Sequence, residues 1–524
     1  MHKKIKDFFP PFTVWSIIFC AIGLRLFKLT ALFHFTYDEE VFAFVGKRMF
    51  VNGHIPLIGG VTPMHVHVAP YFYWLSGFFL WLSHLNPVGW GIAAAVVSGF
   101  TMLFLYKTGE AWFGKQVAII SLLLYSSSFY QNIFDRHYWG LVFDGLVSIL
   151  TLFSLYKIKL GYERYFYLLV VVIAFGVNAD LSMLTLLLTS IISWWYLRLQ
   201  VSRKTLILGI LLFLISFSPL IIFDVRHNLA NSRGILQYIA EVKSGRAHNI
   251  TSILDTFLFM PRSLFRLIYV FGDTDLAKQY SYCSQHLTAR LNAVPKAAAF
   301  MVVGSFIYFL WKIKKIREDL KRTGSILITI LFAVSVIGVL IYGLFFHGDL
   351  FDHYLAPLFP IFFLVIGFTL NSLFKKKQTL LWIVVAFIIC LNAHELFLVK
   401  HSFGFGDKIA AVNWAIEKTG VKDFSLDVIS SCFRYNGYRY LFYVYGKEPT
   451  KSYVDQNFTY LYDRPPAQTH PPYLVVITNP DFVETPTYYA EYARYKSRIL
   501  TSQIFGRTEV LLIDNSKLEF VNKF

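Results

Sequence analysis

The sequence predicts a mainly α, polytopic membrane protein: a helical bundle of about eleven spans with outer interfacial helices, and a small carboxyl-terminal α/β domain on the outer face. Hydrophobic residues make up 56% of the 524 residues and charged residues only 15%, whereas a soluble domain carries about 25% charged residues. Apolar runs of roughly 17 or more residues recur along most of the first ~400 positions, and each could cross a bilayer core of about 30 Å.

The basic residues decide the orientation of the spans. The formal net charge is +17, and the lysines and arginines cluster in short loops between apolar runs, which is typical of cytoplasmic loops. We therefore predict a multi-pass protein of the plasma or inner membrane with a cytoplasmic amino terminus. Membrane lipids are expected partners, and nucleic acid is not. The clustered residues are Lys3, Lys4, Lys6, Arg198, Arg203, Lys204, Lys312, Lys314, Lys315, Arg317, Lys321, Arg322, Lys375, Lys376 and Lys377.

These loops give a membrane module at residues 1–399, with a first outer loop at 33–87 and a long outer segment at 224–294. Residues 70–85 are apolar enough for another crossing, but that crossing would place the later lysine-rich loops outside. We therefore interpret them as an aromatic helix in the outer interface. The predicted spans cover residues 13–32, 88–106, 116–134, 139–157, 165–180, 182–197, 205–223, 296–311, 326–346, 354–374 and 379–397.

Residues 400–524 change character and predict an extracytoplasmic α/β domain, because helical and strand patterns alternate there. The helical patterns are at 406–419, 434–446 and 488–499, and the strand patterns are at 424–430, 473–478 and 508–513. Cys283 and Cys432 both fall on the predicted outer side, so pairing between them stays open.

Acidic and histidine residues gather at the predicted outer ends of the spans. Polar groups near a membrane are costly, so this crowding indicates a site that opens towards the outer leaflet. Asp38 is the sharpest candidate, because a partly desolvated carboxylate has a raised pKa and suits a general base. The alternative is that these residues only hydrate the loops. The groups concerned are Asp38-Glu39-Glu40, Asp135-Arg136-His137, Asp180, Asp224-Arg226-His227 and Asp349-Asp352-His353.

Four motifs in this order resemble the C-type membrane glycosyltransferases, in particular the family-39, protein-mannosyltransferase-like and aminoarabinose-transferase-like group. The resemblance covers about the first 400 residues, and it departs from the common pattern where Ala69 replaces the first proline of a Pro-Pro pair. The motifs are Tyr37-Asp38-Glu39-Glu40, His67-Val68-Ala69-Pro70-Tyr71, Phe223-Asp224-Val225-Arg226-His227 and Asp352-His353-Tyr354-Leu355-Ala356-Pro357.

The resemblance implies an enzyme that moves a sugar, with inversion, from a polyprenyl-phosphate donor to a protein, glycan or lipid acceptor on the outer face. It implies Asp38 as the general base and Glu39 as a further catalytic carboxylate. The family's second acidic residue could be Asp135 or Asp144, and we choose Asp135 because it is expected at a solvated outer rim, whereas Asp144 would lie at membrane depth. Donor phosphate would bind Arg136, His137, Arg226, His227 and His353. The substrate cavity would be lined by Tyr37, His67, Tyr71 and Tyr354. No metal site is inferred, and a Mg or Mn ion stays open because relatives differ.

Two other functions remain open at this point. A polysaccharide polymerase or ligase acting on lipid-linked sugars would rest on the arginines and histidines of the long outer segment, such as Arg226, Arg246, His248 and Arg266. A transporter or flippase would use an ionisable residue inside a span, and Asp144 is the one that favours it.

Overall fold

The computed structural model describes most of the chain, and every structural statement below refers to the described part. Cys283, Cys432, Arg246, His248 and Asp349 lie outside it, so the predictions made for them are not taken further. The described residues are 11–33, 35–62, 65–243, 253–271, 276, 294–316, 318–345, 350–401, 403–429, 437–462, 470–478 and 486–516.

Helices coincide with every one of the predicted spans. Seven of the helical segments are long and apolar enough to cross a membrane by themselves, and the apolar helices α1, α9 and α10 are shorter. The helices are α1 Phe12–Leu26, α2 Leu29–Leu32, α3 Tyr37–Val51, α4 Tyr71–Leu82, α5 Val88–Phe113, α6 Lys115–Ser127, α7 Phe129–Phe134, α8 Asp144–Lys159, α9 Tyr165–Ala179, α10 Leu184–Leu197, α11 Arg203–Arg226, α12 Ala230–Lys243, α13 Ile253–Phe265, α14 Lys296–Ile313, α15 Asp319–Leu340, α16 Phe359–Leu373, α17 Gln378–Leu398, α18 Phe405–Thr419, α19 Tyr438–Val444, α20 Asp455–Phe458 and α21 Pro486–Lys496.

The doubtful segment 70–85 forms α4, which has 12 residues. At 1.5 Å per residue it is about 18 Å long, too short to cross a bilayer core. It packs closely on α3, because a Cβ atom added to Gly46 would lie only 2.9 Å from the Cα of Gly77. The two helices of the first outer loop therefore form one unit.

Loops predicted to share a side of the membrane contact one another. At one end, His137 bonds to Glu39 at 2.6 Å, and this acidic end carries Asp38, His137 and His353. At the other end, the Lys159 ammonium donates to the Leu197 carbonyl at 2.8 Å, and the Gln116 amide donates to Gln378. We call this second end, which carries the lysine-rich loops, the basic end.

Burial separates central from peripheral helices. In Gly140–Lys159 and Asp352–Leu373, 78% of the apolar window is buried within the protein, but in Arg203–Arg226 only 6% is buried. A helix that exposes apolar side chains all round is stable only in lipid. Helix α11 therefore lies at the periphery of the bundle, facing the bilayer.

The carboxyl-terminal part contains a five-stranded sheet with strand order β2-β1-β3-β5-β4. Strands β1 and β3 pair in parallel, whereas β5 is antiparallel to both β3 and β4. All six elements predicted after residue 400 are confirmed, and β2 and β4 were not predicted. The strands are β1 Phe424–Ile429, β2 Lys451–Ser452, β3 Tyr473–Thr478, β4 Ile499–Phe505 and β5 Thr508–Asp514.

This sheet-containing part is fixed to the first outer loop by buried polar contacts. The Tyr440 N–H donates to Glu40 at 2.8 Å, and the Lys408 ammonium donates to the Phe35 carbonyl at 2.5 Å. The Tyr440 ring also packs edge-on against Phe44, with 5.1 Å between ring centroids. The start of α3 is therefore held from the carboxyl-terminal side. The division at residues 399 and 400 stays a prediction.

Candidate active site

Asp38 lies in the first turn of α3, where a capping box fixes the backbone. Glu39 Oε2 accepts hydrogen bonds from the Thr36 N–H and the Thr36 hydroxyl, each at 2.8 Å. These bonds satisfy donors that the first turn would otherwise leave unpaired. Because α3 begins at Tyr37, the capping box also sets the direction in which Asp38 points.

Asp38 has the free carboxylate of this turn. In the described part of the chain it forms no hydrogen bond and no ion pair. Its side chain is exposed to solvent, yet desolvation by the surrounding protein, together with the charge of Glu39, raises its pKa to about 6, while His137 opposes the rise. A carboxylate that solvent can reach, but that the protein partly desolvates, lies in a concave site. A general base requires such an environment, because substrate can reach it and its pKa is raised.

Tyr73 of α4 lies beside Asp38. Burial raises the pKa of Tyr73 to about 12, and the charge of Asp38 adds to this rise. The Gly60 N–H donates to the Tyr73 hydroxyl oxygen at 2.9 Å. The loop around Gly60 is thereby attached to the site through Tyr73.

His137 is held by Glu39. Its Nε2 donates to Glu39 Oε1 at 2.6 Å, and both side chains are mostly shielded from solvent. The imidazole stacks on Trp139 with 4.2 Å between ring centroids. The Trp139 ring packs edge-on against His353, with 5.2 Å between ring centroids, and His353 packs edge-on against Tyr354, with 4.6 Å between centroids. These four rings, His137, Trp139, His353 and Tyr354, form an aromatic row that leads away from Asp38.

Asp135 is buried, so its predicted location at a solvated rim was wrong. Its carboxylate accepts hydrogen bonds from Arg25 Nε at 2.8 Å, from the Ser98 hydroxyl at 2.5 Å, and from the Gln131 amide at 2.7 Å, and the Arg25 Nη2 atom lies 2.7 Å away in an ion pair. Arg25 comes from α1 and neutralises the charge inside the bundle. A buried carboxylate that is paired with a charge and bonded by several donors is suited to holding helices together.

Arg136 also points into the protein. Its guanidinium donates to the carbonyls of Leu24, Arg25 and Phe27 at 2.6 to 3.0 Å. These carbonyls end α1 and have no partner within that helix, so Arg136 caps it. The predicted contact of Arg136 with a donor phosphate finds no support in this geometry, because the side chain is buried.

Four of the predicted residues form a second group around the loop that contains His67. The His67 N–H donates to Asn231 at 2.9 Å, and the His67 ring packs on Phe223 of α11. His227 also stacks on Phe223, with 4.2 Å between ring centroids. Arg226 beside it is exposed, and Tyr71 bonds to the Ser216 carbonyl. This group lies beyond Gly60 and Tyr73 rather than around His137.

Tyr37 lies on the side of the site that faces the carboxyl-terminal part of the chain, where its ring packs on Phe458 with 5.1 Å between ring centroids.

Sequence reasoning missed a further ion pair, in which Arg266 donates to Asp352 at 2.6 Å. The Tyr130 hydroxyl donates to the same carboxylate oxygen, also at 2.6 Å. An arginine in an apolar stretch needs a partner, and that signal could have paired Arg266 with Asp352.

An apolar groove runs between α13, α14 and α15 in the half of the bundle near the acidic end. Its cavity volume is ≈ 160 Å³, and it is lined by residues such as Thr256, Met260, Phe306 and Val339. A Cβ atom added to Gly343 would lie 2.9 Å from Thr256, and the neighbouring Tyr342 meets Tyr354 with 5.7 Å between ring centroids. The groove therefore borders the far end of the aromatic row. We call it the acidic-end groove.

The described residues around Asp38 do not form a ready-made set of metal ligands, and a Mg or Mn ion stays a prediction. Within the described residues, no group of three or more His, Cys, Asp or Glu side chains is placed to hold one. Glu39 is engaged by Thr36 and His137. His65 and His67 turn to different partners, Glu241 and Asn231. We derive no chemical step through a metal.

Comparisons with known proteins give a likeness at the level of fold. No protein-family model matches the chain, and no curated protein sequence matches it. The chain is similar to the crystal structure of ArnT from Cupriavidus metallidurans in the apo state, at 12% identity over 96% of this chain and 98% of that chain, with a TM-score of 0.58.

The chain has the ArnT fold. This likeness of fold agrees with the predicted resemblance to the aminoarabinose-transferase-like group, and it confirms the polytopic fold class. ArnT bound to undecaprenyl phosphate matches at 12% identity over 95% of this chain and 97% of that chain, with a TM-score of 0.45. The oligosaccharyltransferase of Archaeoglobus fulgidus in the apo form matches at 11% identity over 89% and 69%, with a TM-score of 0.49.

We predict that Asp135→Asn lowers the free energy of unfolding by about 3–5 kcal/mol, because it leaves the Arg25 charge buried without its counter-ion. Equilibrium unfolding in mixed micelles measures the change. The double variant Arg25→Met/Asp135→Leu should recover most of the loss, since it removes both charges. If Asp135→Asn were as stable as the parent protein, this buried ion pair would not hold α1 in place.

Proposed function

We propose that the protein is a membrane glycosyltransferase that moves a sugar from a polyprenyl-phosphate donor to a hydroxyl acceptor, with inversion at the anomeric carbon. The observation that carries the proposal is the free, desolvated carboxylate of Asp38 beside the His137–Glu39 pair. The fold shared with ArnT and the sequence motifs agree with this chemistry. The acceptor belongs to one of three classes: protein, glycan or lipid.

In this proposal Asp38 is the general base. The acceptor oxygen attacks the anomeric carbon while its proton passes to Asp38, and the bond from the anomeric carbon to the donor phosphate oxygen breaks. The phosphate leaves with the electron pair, so no acid is required on that side. A pKa near 6 leaves Asp38 mostly ionised at neutral pH and still basic enough to take a proton.

Glu39 is assigned a positioning role instead of a chemical one. Its two oxygens are occupied by Thr36 and His137, so it sets the helix start and the imidazole orientation together. His137 faces the same region as Asp38 and is the nearest candidate to bind the donor phosphate. Fixed donors aimed at developing negative charge supply a large share of the rate in such reactions.

The lipid part of the donor would occupy the acidic-end groove. The groove is apolar and lies between spans, and its rim borders Tyr342 and the aromatic row. Trp139 and His353 would then flank the sugar, because flat ring faces suit the apolar face of a hexose or pentose. Arg226 and His227 are left for the acceptor side, near His67.

Transport is the weaker reading of the same residues. Asp144, the residue that favoured it, is in the first turn of α8, within 3.3 Å of the Ser182 hydroxyl. It therefore lies at the acidic end and not midway along a span. We further propose that the acidic end is extracytoplasmic and that the amino terminus and the basic end are cytoplasmic, as the positive-inside rule requires.

We predict that Asp38→Asn lowers transfer by about 100- to 10,000-fold, the range expected when a general base is lost. The protein is given an extract of lipid-linked sugars, and mass spectrometry measures the polyprenyl phosphate that is released. This product reports transfer whichever sugar is moved. Native mass spectrometry should still detect polyprenyl phosphate bound to the variant. Asp423→Asn, at an exposed carboxyl-terminal position, is the isosteric control. Undiminished release by Asp38→Asn would remove Asp38 as the base.

We predict that the rate rises with pH through about 6, because Asp38 must lose its proton to act as a base and its pKa is about 6. In His137→Gln this rise in rate should shift to higher pH, since His137 lowers the pKa of Asp38. A pH–rate profile of initial rates measures both, with His54→Gln at an exposed position as the control. If the rate rose at the same pH in His137→Gln as in the parent protein, His137 would not lower the pKa of Asp38 as proposed.

The orientation is tested by labelling single cysteines in a background with Cys20, Cys283, Cys390 and Cys432 replaced by serine. A membrane-impermeant maleimide added to intact cells should modify a cysteine at Asn52 and spare one at Lys376. Both positions are exposed, so the contrast reports sidedness and not burial. The opposite pattern would invert the proposed topology.

A further inference from the structure

A second groove lies between α14 and α15, in the half of the bundle near the basic end. Its cavity volume is ≈ 680 Å³, and its walls are mainly apolar, with residues such as Ile307, Leu310, Ile326 and Ile330. Ile307 also lines the acidic-end groove, but the second groove opens at the opposite end, where Lys314 lines its mouth. We call it the basic-end groove.

Positive charge surrounds this mouth. The Lys315 ammonium lies 3.8 Å and the Lys312 ammonium 5.0 Å from the centroid of the Trp311 ring, which itself lines the groove. Within the described residues, Lys312, Lys314 and Lys315 form no ion pair. The next acidic residues along the chain are Glu318, which is paired with Lys321 at 2.8 Å, and Asp319, which is exposed at the start of α15.

Aromatic rings mark the depth of the mouth in the bilayer. Trp311 and Tyr196 both line the groove and are 48% and 66% exposed. Partly exposed tryptophan and tyrosine are favoured where hydrocarbon meets headgroups. The apolar wall therefore extends into the hydrocarbon core, while the three lysines lie at headgroup level.

The geometry points to a binding site for an anionic phospholipid of the leaflet at the basic end. One acyl chain lies in the basic-end groove, and the phosphate lies on Lys312, Lys314 and Lys315. Basic pockets between spans are suited to anionic headgroups, each nearby lysine contributing on the order of fivefold in affinity. The site lies at the end opposite Asp38 and does not depend on the proposed sugar transfer.

The occupant is a phospholipid because the groove lies between helices of the predicted membrane bundle and is lined by the partly exposed rings of Trp311 and Tyr196, so bilayer lipid is the medium that adjoins it. A zwitterionic lipid would fill the same apolar wall, but it has no net charge to complement the three unpaired lysines. Selectivity for net negative charge is therefore the property to measure, rather than lipid contact alone.

Quenching of Trp311 by brominated lipids tests the proposal on the full-length protein in mixed micelles. The Trp311 signal is the difference in fluorescence between the parent protein and Trp311→Phe. Titrating brominated phosphatidylglycerol and brominated phosphatidylcholine gives a relative affinity for each. We expect phosphatidylglycerol to be preferred at least tenfold.

The triple variant Lys312→Gln/Lys314→Gln/Lys315→Gln should lose that preference, and Lys314→Gln alone should reduce it about fivefold. The matched control is Lys375→Gln/Lys376→Gln/Lys377→Gln, which removes three lysines from an exposed loop at the same end and should keep the preference. Equal quenching by both lipids in the parent protein, or an equal loss in the control, would overturn the site. The single variant decides the matter if the triple variant fails to fold.

Discussion

The bonds that Glu39 accepts are the constraint on which the acidic end depends. One oxygen closes the capping box with Thr36, and the other holds His137 at 2.6 Å. Because this one carboxylate sets both the start of α3 and the direction of the imidazole, it also fixes where Asp38 stands relative to His137. A loop between two spans thereby acquires the rigidity of a helix terminus, which a preorganised site requires.

The buried ion pairs serve a different purpose from the site they surround. Arg25 with Asp135 ties α1 to the turn after α7, and Arg266 with Asp352 ties the segment after α13 to the start of the late span. Both pairs lie where loss of one partner would leave an uncompensated charge in a medium of low dielectric constant. They keep the spans in place behind the aromatic row while Asp38 stays free.

The sequence allowed the architecture to be predicted well, and the directions of individual side chains poorly. Helices lie at every predicted span, and seven of the described helical segments are long and apolar enough to cross a membrane, because a membrane imposes long apolar runs on the sequence directly. Asp38 could be singled out because it closely follows the predicted first span, and the structure places it exposed and near Glu39 and His137. Asp135 and Arg136 were assigned to a solvated rim, but consecutive residues of a tight turn point in different directions, and only His137 reaches the site. Strand β4 was missed because most of its side chains are exposed, so no buried pattern marks it.

The contacts of Tyr440 and Lys408 with the first outer loop have a consequence for how the protein matures. Asp38 is synthesised early. Lys408 and Tyr440, which bond to the Phe35 carbonyl and to Glu40 at the start of its helix, follow some 370 to 400 residues later. A nascent chain therefore carries its first loop with the helix start still incompletely secured. The arrangement ties completion of the site to completion of translation, and a prematurely terminated polypeptide lacks it.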